Sequence, residues 1–249
     1  MLAKNMKINS YKLKSSNLYE LTLENKDKLL LYDDTILKYE LLIKKEIDKK
    51  LVEEIIKYND FIEAYHISLK YIKSKLRTKK EIIKKLNNYS ENCQNFVIER
   101  LQKEGYLNDS LYIKSYMNDA INLKFVGPNR ILYDLTKLEL GETDILNYLK
   151  SIDKEIWLNK INTYILKKIK CNHNYSATIL KQKIYQDLLN KGFYKEDIEC
   201  IINEFDFKDN YDIYKKEYIK LKNKLIKKYS GEELDFRIKI ALAKKGFKI

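Results

Sequence analysis

Two stretches of this 249-residue chain concentrate side chains able to act on a partner, and both are basic. The first holds Lys73, Lys75, Arg77, Lys79, Lys80, Lys84 and Lys85, with Glu81 as the one acid among them. The second holds Lys215, Lys216, Lys220, Lys222, Lys224, Lys227 and Lys228, with Glu217. Cations at that density attract polyanions. Each phosphate they neutralise releases counterions, so such binding is tight at low salt and falls steeply as salt rises. Lys124, Arg130, Lys181 and Lys183 lie between the two clusters in sequence and could continue one positive track. The bland alternative is a set of solvated helix faces.

Residue sets that would make an enzyme are missing. No two glycines have the spacing of a phosphate-cradling loop with its Lys, and no Ser or Cys sits in a nucleophile elbow. His66 and His173 fall in different segments. Cys171 and His173 make half a metal site without two further ligands, and the neighbouring Asp33 and Asp34 read as a helix start. The sequence therefore reads as a binding protein with no catalytic residues, metal or cofactor. The 21 tyrosines fall mostly on apolar helical stripes, which suits core and boundary positions better than base stacking.

The elements that must carry the clusters are helices. From Asp60 onward, Phe61, Tyr65, Leu69, Ile72 and Leu76 keep a helical period, with Asp60 and Glu63 at capping-box spacing. Thr78 and Glu81 repeat that spacing before Ile82, Ile83 and Leu86, and Cys93, Phe96, Val97 and Leu101 mark a third helix that stops at Gly105. Gly127 and Pro128 open a helix through Ile131 and Leu135, while Ser176 opens one through Leu180, Ile184 and Leu188 to Gly192. A further helix follows, with Ile198, Ile201, Ile202 and Phe205 as its apolar face, and Ser230 with Glu233 caps a later one. Gly141, Gly192 and Gly246 read as helix-ending glycines about fifty residues apart, with Asn88 in the equivalent earlier place. That period predicts a mainly α protein of tandem three-helix repeats forming an elongated curved array.

Before the array the pattern changes. Tyr19, Leu21 and Leu23 alternate with polar residues, a polar turn follows, and Leu29 to Tyr32 are apolar. This is a β-hairpin, with a weaker strand over 7–13 in front and a helical segment over 33–58 to support it. The expected divisions are an N-terminal hairpin-and-helix extension over 1–59 and repeats over 60–109, 110–152, 153–208 and 209–249. The last repeat has two helices where the others have three, as suits a terminal cap.

Composition agrees with this reading. One Pro and six Gly among 249 residues favour helices over turn-rich sheets. Net charge is +13, yet residues 1–63 hold twelve Lys and twelve acids, so the excess falls in the array. Three widely spaced cysteines and the lack of an apolar leader point to a reduced, cytoplasmic protein, and no apolar run is long enough to cross a membrane. A monomer is the expected state.

Ser68, Leu69, Tyr71 and Ile72, leading into Arg77, Thr78, Lys79, Glu81 and Ile82, then Leu86, Ile98, Leu101 and Gly105 to Asp109, resemble the signature of the RecX family, modulators of the RecA recombinase. Gly127, Arg130 and Ile131 resemble its second unit, and Lys191, Gly192 and Phe193 its third. The chain departs from the family pattern in being Lys-dominated, with four Arg, and in lacking a Gly after the first repeat's second helix. The resemblance implies a non-enzymatic regulator of recombination and DNA repair that lies on the RecA filament on single-stranded DNA. There it would limit filament growth, ATP turnover, strand exchange and the SOS response. A stand-alone DNA-binding helical protein and a helical scaffold for another protein are the alternatives.

Overall fold

The computed structural model describes residues 5–248, which divide into two compact units on either side of the Tyr112–Ile113 bond. In the first unit, strands β1 (Met6–Ser15), β2 (Leu18–Leu23), β3 (Lys28–Tyr32) and β4 (Glu46–Ile47) form an antiparallel sheet in the order β3-β2-β1-β4. The alternation read in β2 is real: Leu21 and Leu23 are buried, together with Leu31 of β3. Their cover comes from helices α1 (Asp33–Lys38) and α2 (Lys49–Ile72), through Ile36 and Ile55, with Leu41 and Ile47 between.

The supporting segment is not the continuous helix that the spacing over 33–58 predicts. It breaks after Lys38, turns through Glu40 at φ 52°, and contributes β4 before α2 begins. A Glu in the left-handed region carries no sequence signal of the kind Gly gives. The predicted start at Asp60 is also absent, because Asp60 and Glu63 both lie inside α2. That helix is instead capped at Asp48, whose side chain accepts from the Leu51 N–H at 2.7 Å. Asn59 ties the middle of α2 to the sheet: its Oδ1 accepts from the Tyr32 N–H and the Thr35 hydroxyl, and its amide donates to Leu30 O.

The C-terminal half of α2 then packs against α3 (Lys79–Lys85) and α4 (Glu91–Lys103). Ala64, Tyr65, Ile82, Leu86, Val97 and Leu101 form the core of this three-helix group. Asn88 keeps negative φ, so it does not take the left-handed place that the period assigns to it.

From within α5 (Asp109–Asn122) onward the chain forms the second unit, with α6 (Pro128–Thr136), α7 (Glu142–Ser151), α8 (Lys154–Lys170), α9 (Ala177–Asn190), α10 (Lys195–Ile202), α11 (Tyr211–Leu225) and α12 (Gly231–Lys244). The repeat is visible in its polar bonds. The Tyr116 hydroxyl on α5 donates to Asp134 on α6 at 3.0 Å, and in the next group the Tyr164 hydroxyl on α8 donates to Asp187 on α9, also at 3.0 Å.

Gly141 is not a helix-ending residue. At φ −60° it precedes α7 as its N-cap, and the left-handed residue after α6 is Glu139, φ 62°. Counted from Glu139 rather than Gly141, the left-handed positions fall 53 and 54 residues apart. Ser230 is the N-cap of α12, but its side chain makes no cap hydrogen bond.

Successive groups in the second unit meet head to tail. At the end of α9, Gly192 (φ 84°) lies against the start of α6, with the Gly127 N–H donating to Lys191 O at 2.8 Å and the Asn129 N–H to Gly192 O at 2.9 Å. A Cβ on Gly192 would stand 2.4 Å from the Arg130 nitrogen, and one on Gly127 would stand 2.3 Å from the Phe193 nitrogen. The end of α12 meets the start of α9 in the same sense: Gly246 (φ 78°) abuts Ser176, whose hydroxyl donates to Lys245 O at 2.6 Å.

Candidate polyanion interface

The first basic cluster is displayed by α3. The Thr78 hydroxyl accepts from the Glu81 N–H at 3.3 Å and the Glu81 carboxylate accepts from the Thr78 N–H at 3.0 Å, the reciprocal box that its spacing predicts. With Ile82 fully buried, a turn of 100° per residue puts Lys80 and Lys84 on the opposite face, while Lys79 and Lys85, three residues on either side of Ile82, are exposed at the margins of the buried face. Lys73 and Lys75 follow from the end of α2, both exposed, Lys75 standing 3.9 Å from Glu81.

Arg77 is different from its neighbours. Its guanidinium lies 3.6 Å from the centre of the Tyr71 ring, donates to Glu81 at 3.4 Å and to the Ser74 hydroxyl at 3.2 Å, and its side chain is 11% exposed. The other three arginines repeat the arrangement. Arg100 stands over Tyr65 and pairs with Glu104, Arg130 over Tyr133 with Asp134, and Arg237 over Tyr229 with Glu233. A flat, weakly hydrated cation suits stacking on a ring, and the carboxylate four residues away fixes its plane. The arginines hold helices, while Lys79, Lys80, Lys84 and Lys85 of α3 are exposed.

In the second unit the candidate residues have different partners. Lys124 stands 4.6 Å over Tyr116, Lys181 donates to Asn203 at 3.0 Å, and Lys183 stands 4.7 Å over Tyr175. On α11, Tyr214, Tyr218, Leu221 and Leu225 pack with Ile213 into the core, while Lys215, Lys216, Lys220 and Lys222 are exposed and Ile219 is 48% exposed. Lys224 is exposed on the flank of that helix. Lys220 is 3.9 Å from Glu217, which also takes a hydrogen bond from Lys245 at the end of α12. That bond, helped by Lys220 and Lys216 and opposed by burial, holds the Glu217 carboxyl below its usual range.

Among the described residues no group of three His, Cys, Asp or Glu could hold a metal ion, and no helix is long and apolar enough to cross a membrane.

No protein-family model matches the chain. Individual proteins do, along nearly all of it. Proteins named regulatory protein RecX from Streptococcus pneumoniae (strain Hungary19A-6) and Streptococcus agalactiae serotype III (strain NEM316) are each 29% identical over 240 residues, 94% of this chain and 92% of theirs. A crystal structure of a regulatory protein RecX matches 80% of this chain and 99% of its own with a TM-score of 0.71 at 25% identity. RecX from Lactobacillus salivarius matches 59% and 97% with a TM-score of 0.55 at 28% identity. By sequence and by fold this chain is RecX-like.

The RecX-like pieces that look unrelated in the sequence are one object in space. Gly127 with Arg130, and Lys191 with Gly192 and Phe193, are the two sides of the joint between α6 and α9. Lys160 is a polar residue that its position does not announce: its ammonium donates to Ala120 O and Lys124 O at 2.9 Å each, closing the end of α5, and burial pushes its pKa down. The apolar period puts Phe205 on the face of α10, but that helix ends at Ile202. Phe205 instead joins Phe207 on the wall of a recess beside α9. Two phenylalanines in a polar segment after a helix are the signal that could have pointed there.

Proposed function

We propose that this protein regulates a RecA-type recombinase without catalysis of its own, binding its filament on single-stranded DNA and restraining assembly, ATP turnover and strand exchange. The observation that carries this is the similarity to proteins named regulatory protein RecX over 94% of the chain, beside a fold like that of a RecX crystal structure. The exposed lysines of α3 and α11 support a phosphate-rich partner.

The test is ATP hydrolysis by the cognate RecA, preassembled on single-stranded DNA, while this protein is titrated from substoichiometric to equimolar ratios. A fall at low ratios is expected. Unchanged hydrolysis at equimolar protein would overturn the reading. If gel shifts still showed binding to naked DNA, the stand-alone DNA-binding alternative, which the lysine faces also favour, would replace it.

A further inference from the structure

The recess beside α9 has a composition that the basic faces do not. It encloses about 610 Å³, within the size range of small-ligand sites. Phe205, Phe207 and Tyr185 form its aromatic walls, and Ile202 and Ala177 line the rest of its apolar surface. Gln182 and Gln186 bring amide groups, each able both to donate and to accept, and Lys181 and Lys248 bring two cations.

Among the described residues no carboxylate lines the recess, and three that lie close to it in sequence are engaged. Asp209 accepts from the N–H groups of Ala177 and Lys248, Glu199 accepts from the Tyr185 hydroxyl, and Asp206 pairs with Lys208 at 3.0 Å. Lys181 also sits 5.9 Å from the centre of the Phe207 ring. A flat ligand with a polar edge and an anionic attachment fits all of these features together. Lys181 donates to Asn203 at 3.0 Å and Gln186 to Asn190 at 3.1 Å, and each keeps further hydrogen-bonding capacity that an apolar protein side chain would leave unused, as it would that of Gln182 and Lys248.

We propose that this recess seats one unpaired nucleobase of a single strand, stacked on Phe207, its edge read by Gln182 or Gln186 and its flanking phosphates met by Lys181 and Lys248. The proposal rests on the reading that the protein works on single-stranded DNA, and it places one contact of that interaction in the third repeat. Lys248 follows Gly246, so the joint between α12 and α9 fixes one side of the seat.

The experiment uses the full-length protein and an oligothymidylate carrying 5-iododeoxyuridine. Ultraviolet cross-linking followed by peptide mapping should place adducts on Phe205, Phe207 or Tyr185. In fluorescence anisotropy, Phe207→Leu keeps apolar volume and loses the ring, and should weaken binding roughly 5- to 150-fold. The slope of log affinity against log salt should not change in that variant, whereas Lys181→Ala with Lys248→Ala should shallow it by about 0.7 for each phosphate that is no longer neutralised. Circular dichroism checks that each variant stays helical, and the cross-link needs no variant.

Failure of the wild-type chain to bind the oligonucleotide at all would overturn both this seat and the DNA part of the proposed function. Binding with unchanged affinity in Phe207→Leu and adducts elsewhere would overturn the seat alone. A Phe207→Leu defect on the RecA filament but not on free DNA would show a protein side chain as the occupant, which also overturns it.

Discussion

Arg77 and its surrounding lysines look alike in sequence, yet they do different work. Replacing Arg77 by Ala removes a stacked cation and its bonds to Glu81 and Ser74, and should cost about 1–3 kcal/mol in a thermal or urea melt. The salt dependence of DNA binding should hardly change. A large fall in that slope with stability intact would make Arg77 a phosphate contact after all. Cys93 offers a second check at this scale. Burial first, then the charges of Asp60 and Glu63, push its thiol up to about 11, while Cys171 and Cys200 are exposed. At pH 8 a thiol reagent should titrate two cysteines quickly and the third only after denaturant is added. What separates these residues is which ring or carbonyl lies beside them, and a one-dimensional pattern of charge does not encode that.

Among the elements, apolar period and capping residues made most helices legible, Thr78 with Glu81 and Ser176 above all, because those signals act within one turn. Features set by distant packing were not legible: α2 running unbroken past Asp60, and Glu139 taking the left-handed place read at Gly141. The glycines can be ranked by the same distinction. At Gly105 (φ 79°) nothing lies within 4 Å of an added Cβ, so Gly105→Ala meets only backbone strain, about 1–2 kcal/mol. At Gly192 the Cβ would also strike the main chain of Arg130, and Gly192→Ala should cost several times as much, separating the two in a melt. The contact between α11 and α12 has a pH signature. Because Lys245 holds the Glu217 pKa below its unfolded value of about 4.3, the stabilisation is present above that pH and is lost as pH falls through the folded value. Glu217→Gln should melt lower than wild type at pH 7, and the gap should close on acidification below about pH 4.

For the molecule as a whole, +13 of net charge would make the proposed attraction to a nucleoprotein filament a matter of many modest contacts. Charge reversal at Lys73, Lys79 and Lys84 together should weaken binding to RecA filaments at least tenfold at low salt with helicity unchanged, while equal binding would remove the α3 face from the interaction. Arg77 is left in place so that folding is not what is measured. The head-to-tail joints of the second unit bear on how such chains can change length. Each is made by a left-handed glycine meeting the first turn of an earlier helix: Gly192 meets α6 through main-chain atoms, and Gly246 meets α9 through the Ser176 hydroxyl and the side chains of Thr178 and Ile179. A chain shortened by one entire repeat would offer Gly246 to Gly127 where Gly192 stood, one left-handed glycine in place of another. A chain shortened by half a repeat would offer no such match. Size in this architecture should therefore vary in whole modules, as with interchangeable parts cut to one gauge.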